Sequence, residues 1–176
     1  MYKKLASIAM AILVGFGLAV AVQPGPAAAA WQGPCWEETL IKKEYDLPNK
    51  TDLQVVVVPC VKRDGNKLYA YFTLDWYPMN YPWLGSHRKF DNFEIVVNLE
   101  RRVNGTSEDR VVEQHTCDIT SRVNDHNSGI VTCKTPVHIG YSSAYNWSGD
   151  GYIRADIDND GDGAKLWFIH GSPLIY

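Results

Sequence analysis

Alternating carboxylates near the C-terminus form the motif of this sequence that most resembles a metal site. Segment 156–163 places an aspartate at every second position, namely Asp156, Asp158, Asp160 and Asp162. Ca²⁺ binds six to eight oxygen ligands, and an Asp-rich loop with a glycine at its sharp turn supplies them. The series resembles the first half of an EF-hand loop, but Trp167 stands where the bidentate glutamate is needed. A calcium site outside the EF-hand family and an acidic hairpin turn without an ion both remain open.

A second group of residues is suited to binding rather than to catalysis. Segment 76–85 contains two prolines and four aromatic residues, Trp76, Tyr77, Tyr81 and Trp83. Rigid aromatic rings lose little conformational entropy on binding, and they stack on sugar rings or grip a peptide. We call this segment the aromatic loop and predict that it binds a carbohydrate or another extracellular ligand. The alternative is a loop that buries its own rings. A second aromatic stretch, 141–147, is a candidate for the same end of the domain.

Four cysteines predict two disulfides. The cysteines are Cys35, Cys60, Cys117 and Cys133, and an even number in an exported chain indicates a disulfide framework with three possible connectivities. We favour the pairs Cys35–Cys60 and Cys117–Cys133, because the second pair brackets a turn-rich stretch as a hairpin would. None of the spacings is Cys-x-x-Cys, so a zinc site is disfavoured.

Catalytic motifs give little support to an enzyme. The sequence contains no Gly-x-Ser-x-Gly or His-Glu-x-x-His motif and no phosphate-binding glycine loop, and its five histidines lack metal-ligand spacing. A pair of acidic residues flanking a glycosidic bond is possible in principle, but the sequence does not single out a pair. A small extracellular hydrolase is therefore an alternative to the binding hypothesis, and it requires a cleft with converging ionisable groups.

The first thirty residues have the pattern of a secretory signal peptide. Lys3 and Lys4 precede an uncharged apolar stretch, and an Ala-rich exit ends at Ala30. We predict cleavage after Ala30, which leaves one domain over residues 31–176, and we expect the protein to be secreted. The alternative is an uncleaved anchor, because the apolar stretch approaches the roughly 18 residues that span a bilayer.

The charge balance disfavours polyanionic partners. The formal net charge is −3, and removing Lys3 and Lys4 makes it −5. A mildly acidic domain lacks the basic surface that nucleic acid or an anionic membrane requires. No other long apolar run follows residue 30, so no membrane span is expected after cleavage.

The remaining segments predict strands that must position these groups. Residues 68–76 alternate between apolar and polar side chains, as a half-buried strand does. Further strands are predicted over 53–58 (ended by Pro59), 93–103, 111–120, 130–133, 152–158 and 164–170. Residues 36–45 suit either a strand, which we favour, or a short helix. Asn104-Gly105 is a strong hairpin signal. Short strands at this spacing predict an all-β fold, an antiparallel β-sandwich of seven to nine strands, immunoglobulin-like or jelly-roll-like.

The Ala-rich leader and the C-terminal stretch DIDNDGDGAKLWFIHGSPLIY resemble small secreted proteins of actinomycete-type bacteria. The resemblance implies an extracellular location and supplies no catalytic residues. The sequence therefore predicts a secreted β-sandwich with a non-enzymatic binding or cell-surface role. A small hydrolase, or an inhibitor or partner of another secreted protein, remains the alternative.

Overall fold

The structure is a computed structural model that describes Cys35, residues 40–80 and residues 88–176. These residues form two antiparallel sheets and one short helix. In chain order, the elements are β1 Ile41–Tyr45, β2 Leu53–Asp64, β3 Lys67–Pro78, β4 Phe90–Val103, β5 Arg110–Asp118, α1 Thr120–Asp125, β6 Gly129–Lys134, β7 His138–Ile139, β8 Tyr145–Ile157 and β9 Lys165–Ile169. The predicted signal peptide lies outside the described residues.

The two sheets pack face to face as the predicted antiparallel β-sandwich. Sheet 1 has the strand order β1-β2-β3-β6, with β7 also paired to β3, and sheet 2 has the order β5-β4-β8-β9. Period-two alternation decides which side chains form the core between them. In β3 the inward residues are those predicted from the pattern, and all are buried: Leu68, Ala70, Phe72, Leu74 and Trp76.

Two glycines on β8 allow close backbone approaches, one to the facing sheet and one to the neighbouring strand β4. A Cβ on Gly149 would lie 2.6 Å from the carbonyl oxygen of Cys60, which belongs to the facing sheet. Gly151 has a φ of 152°, and a Cβ there would lie 2.0 Å from the carbonyl oxygen of Val96. Both distances are shorter than any side chain tolerates, so β8 requires glycine where it crosses the core.

Both predicted disulfides form, but one of them has a different structural role. Cys35 pairs with Cys60, and Cys117 pairs with Cys133. The expectation that the second pair closes a hairpin is wrong, because Cys117 lies on β5 of sheet 2 and Cys133 on β6 of sheet 1. This disulfide therefore links the two sheets along one side of the sandwich.

Strand β2 continues past the proline that was expected to end it. It runs through Pro59 to Asp64, in register with β3 along its whole length. Strand β1 pairs with β2 only as far as Val57, so the absent N–H of Pro59 removes no hydrogen bond toward β1.

The short helix α1 was not predicted, and a buried lysine attaches it to the sandwich. Lys89 is fully buried, and its Nζ donates to the carbonyl oxygens of Val123, Asn124 and His126 at the end of the helix. Burial lowers the pKa of Lys89 to about 8. We call this end of the sandwich the α1 end, and we call the opposite end, with the β2–β3 and β4–β5 turns, the hairpin end. None of the described residues forms a helix with the length and hydropathy needed to cross a bilayer.

Candidate functional site

Trp76, one of the four predicted binding residues, lies in the core. Its side chain is 1% exposed, and its Nε1 donates to the carbonyl oxygen of His126 over 3.2 Å. Strand β6 covers the ring so closely that a Cβ on Gly129 would lie 2.4 Å from it. The prediction that Trp76 belongs to an exposed binding surface is therefore wrong. It fails because Trp76 occupies an inward position of β3.

Tyr77 occupies the next position of β3 and points outward. It is 36% exposed, and its hydroxyl donates to Oε1 of Gln54 on β2. Gln54 Nε2 in turn donates to Oε1 of Glu44 on β1 over 3.3 Å. A polar row thus runs across the outer face of sheet 1, from the start of the aromatic loop to the edge strand β1. Tyr81 and Trp83 lie outside the described residues, so their binding role stays a prediction.

Cations from two sides hold the acidic turn between β8 and β9. Lys50 Nζ lies 2.6 Å from Asp158 Oδ2, and Lys165 Nζ lies 2.6 Å from Asp162 Oδ2. These lysines accordingly lower the pKa of Asp158 and of Asp162, chiefly through hydrogen bonding. Asp160 Oδ1 accepts the backbone N–H of Asp162, as in an ordinary turn.

This arrangement gives the calcium hypothesis no positive support. Within the part of the chain that the structure describes, no group of three or more His, Cys, Asp or Glu residues is placed to hold a metal ion. Asp156, the first member of the motif, lies in β8 opposite Asn92, apart from the turn. Calcium binding stays a prediction, which the melting temperature with and without EDTA tests directly.

A groove opens between the edge strands β1 and β9, near the α1 end. Its volume is about 480 Å³, within the roughly 300–1,000 Å³ of ordinary ligand pockets. It is lined by the end of β1, the end of β8, the turn that follows, and β9: Lys43, Glu44, Tyr45, Asp46, Pro48, Ala155, Ile157, Asp160, Asp162, Lys165, Leu166 and Trp167. The disulfide Cys117–Cys133 lies on the opposite side, between the other two edge strands.

Inward-facing positions of both edge strands contribute directly to the groove. On β1, Lys43 lies opposite the fully buried Val55, which places it on the inner face of sheet 1. On β9, Trp167 lies opposite the fully buried Ile153, on the inner face of sheet 2. A sandwich normally fills such positions with apolar side chains. Here Lys43 on β1 and the half-buried indole of Trp167 on β9 occupy such positions. The space between these two edge strands stays open as the groove.

Tyr45 lines the groove, but most of its side chain belongs to the core. Its ring packs edge-on against Phe90 and Phe93, with centroid distances of 5.3 and 5.8 Å. Its hydroxyl oxygen is buried and has no hydrogen-bond partner among the described residues, and burial raises the pKa of the phenol.

The charges around the groove have both signs. Lys165 is neutralised by Asp162 and lies 4.0 Å from Asp160, and Glu44 is engaged by Gln54. The lysine ion pairs of the described residues involve Lys50 and Lys165, so Lys43 has no carboxylate partner there. The groove therefore offers donors and acceptors side by side above apolar walls.

The carboxyl groups whose pKa is raised by burial lie elsewhere, on the outer face of sheet 2. Burial, followed by the negative charges of Asp150 and Asp109, raises the pKa of Glu100 to about 7. Burial also raises the pKa of Asp150. Neither Glu100 nor Asp150 lines the groove. Among the described residues, the carboxyl groups with a raised pKa and the cavity that a hydrolase would combine thus do not coincide.

Comparison with known proteins adds no assignment, since no family model, no curated protein and no solved structure matches the chain. Sequence reasoning singled out neither Lys43, Tyr45 nor Trp167 as a site residue. The sequence did contain one sign of this site: Lys43 stands two residues from both Ile41 and Tyr45, so a strand that buries those two side chains places a lysine on the same inner face.

Proposed function

We propose that this chain is a secreted, non-enzymatic binding module that holds a carbohydrate in the groove between β1 and β9. Two disulfides fit an oxidising compartment, which supports the export predicted from the N-terminal residues. The observation that carries the proposal is the 480 Å³ groove between two edge strands. The aromatic side chains of Trp167 and Tyr45 line it, together with the charged groups of Lys43 and of the Lys165–Asp162 ion pair.

A sugar fits this combination of surfaces better than a purely apolar or a highly charged ligand does. The C–H face of a pyranose packs on an indole or phenol ring, while its hydroxyl groups need donors and acceptors around the rim. Trp167 and Ile157 provide apolar wall, and Lys43, Asp46 and Glu44 provide the polar rim. Four acidic and two basic side chains line the groove, which disfavours a polyanion.

The polar row on sheet 1 connects the groove to the aromatic loop. Tyr77 contacts Gln54, and Gln54 contacts Glu44 at the rim of the groove. Tyr77 remains exposed at the start of the loop, so it is available to a ligand that extends from the groove along this face. We keep the prediction that the aromatic loop contacts the ligand through Tyr77, Tyr81 and Trp83. The buried Trp76 is not part of this proposed surface.

Glycan-array screening followed by calorimetric titration of the best ligand tests the proposal. Trp167→Ala should weaken binding about 30-fold, as loss of an aromatic anchor worth about 2 kcal/mol does. Phe168→Ala is the matched control, because Phe168 is the next residue of β9, is 69% exposed and faces outward. Lys43→Ala with Lys42→Ala forms a second pair of the same design on β1.

Each outcome decides between the competing functions. A glycan ligand lost in Trp167→Ala and Lys43→Ala, but retained in both controls, supports the groove. Equal loss in Phe168→Ala moves the site to the outer face and contradicts the proposal. Release of sugar fragments during the titration indicates a hydrolase. Binding to a secreted protein, with no glycan bound on the array, favours the inhibitor or partner alternative.

A further inference from the structure

A second, smaller cavity lies at the hairpin end of the sandwich, remote from the groove. Its volume is about 160 Å³, well below the roughly 300 Å³ at which pockets for organic ligands begin. It is lined by the β4–β5 hairpin and by the first residue of β8: Arg101, Arg102, Val103, Thr106, Glu108, Arg110 and Tyr145. Three of its seven lining residues are arginines, although the chain as a whole is acidic.

Two of these arginines stand directly opposite each other. Arg101 of β4 is the cross-strand partner of Arg110 of β5 in the antiparallel register. Like charges at directly opposed positions of a sheet destabilise the pair. The arginine ion pairs of the described residues involve Arg88, Arg102 and Arg154, so no carboxylate there neutralises Arg101 or Arg110.

A contact with an aromatic ring holds the guanidinium of Arg101 in place without neutralising it. The guanidinium of Arg101 lies 4.6 Å from the centre of the Tyr145 ring, a stacking contact that leaves its in-plane N–H donors available. Asp109 forms an ion pair with Arg102, whose Nε lies 3.3 Å from Asp109 Oδ1. Arg102 Nε is buried and makes no aligned hydrogen bond, even to Asp109. Glu108 is the carboxylate among the lining residues, and it pairs with none of the three arginines.

We infer that this cavity is a binding site for a tetrahedral oxyanion, a phosphate or sulfate group held between Arg101 and Arg110. The planar fork of a guanidinium matches the oxygens of such an anion, and each pair of N–H groups makes two charge-assisted hydrogen bonds. An anion between the two arginines replaces their mutual repulsion with two attractions. The site does not depend on the groove, and the two ligands can bind independently.

Thermal unfolding of the whole protein tests the inference with inorganic phosphate as the probe. The ionic strength is held constant with sodium chloride, so that general screening does not contribute. Phosphate should raise the melting temperature steadily with the logarithm of its concentration once that exceeds Kd, because a ligand of the folded state stabilises it in proportion to ln(1 + [L]/Kd). Glycerol phosphate, a phosphate monoester, is the second probe, and it distinguishes a site for an esterified group from a site for the free ion.

Replacement of Arg110 makes the test specific, because two effects of opposite sign are expected. Arg110→Gln removes the opposed charge, so the melting temperature without phosphate should rise. The same variant should lose at least about tenfold in phosphate affinity, since one of the two forks is absent. Arg154→Gln is the matched control, because Arg154 is an arginine of the same sheet that is paired with Glu94.

Arg101→Lys tests the geometry, because it keeps the positive charge but loses the fork. Its phosphate affinity should fall at least about tenfold while its melting temperature stays near that of the wild type. A phosphate response equal to that of chloride, or one that survives in both Arg110→Gln and Arg101→Lys, overturns the inference. A response to glycerol phosphate alone keeps the site and assigns it to an esterified phosphate.

Discussion

Glu100 should make the stability of this protein fall as pH rises through neutrality. Glu100 lies on the outer face of sheet 2, is 9% exposed, and lies opposite Ser148 of β8. Burial raises its pKa most, and the nearby negative charges of Asp150 and Asp109 raise it further, from 4.5 to about 7. The folded protein therefore retains a proton on this carboxyl at pH values where the unfolded chain has released it.

The sign and the size of the effect follow from this difference. A carboxyl whose pKa is raised on folding contributes stability that is fully present below pH 4.5 and is lost as pH rises through about 7. One pKa unit corresponds to about 1.4 kcal/mol, so the full loss across this window is about 3 kcal/mol. Glu100→Gln is neutral at every pH and avoids this loss. The variant should match the wild type at pH 4 and exceed it by about 3 kcal/mol at pH 8.

Urea unfolding of both proteins at several pH values measures this difference, and subtraction removes the contributions of all other titrating groups. Glu108→Gln is the control, because it makes the same change of charge at an exposed position of the β4–β5 loop. Asp150→Asn removes a negative charge that raises the pKa of Glu100 in the folded protein, so the loss of stability with rising pH should become smaller. A difference between wild type and Glu100→Gln that stays constant from pH 4 to pH 8 refutes the reasoning.

Two further predictions concern the framework of the sandwich. Replacing Cys117 and Cys133 by serine should lower the free energy of unfolding by about 3 kcal/mol, because a link of sequence separation 16 no longer restricts the unfolded chain. Guanidinium unfolding measures this change, and an unchanged unfolding midpoint contradicts the prediction. Gly151→Ala should lower the free energy of unfolding by about 2 kcal/mol or more, since the new Cβ would collide with the carbonyl oxygen of Val96 and the φ of 152° is strained for alanine. A Cβ on Gly163 would have no atom within 4 Å, so Gly163→Ala should change the melting temperature little. Equal melting temperatures for the two alanine variants contradict the close approach of β8.

Local patterns predicted the sheets well because strand faces follow from side-chain alternation. The alternation in residues 68–76 identified the buried face of β3, and Asn104-Gly105 correctly marked the turn between β4 and β5. The same alternation already placed Trp76 with Phe72 and Leu74, so its assignment to an exposed loop conflicted with the strand pattern. The burial of Trp76 agrees with the prediction from strand alternation and contradicts the prediction from aromatic composition.

Features that depend on distant segments were not predicted. The disulfide partners of Cys117 and Cys133 were correctly paired, but nearness in sequence suggested a hairpin, whereas the chain crosses from one sheet to the other through α1. Six residues are too few for α1 to show a helical period. The groove joins Lys43 to Trp167, which lie at opposite ends of the domain sequence, so no local pattern connects them.

The affinity of Trp167→Ala for a glycan ligand, measured beside that of Phe168→Ala, tests the central claim most directly. Trp167 faces the groove and Phe168 faces the solvent on the same strand, so the two variants differ in the face that they alter. A loss of about 30-fold in Trp167→Ala with unchanged affinity in Phe168→Ala is the predicted result. Unchanged affinity in Trp167→Ala, for a protein that remains folded, contradicts the groove as the binding site.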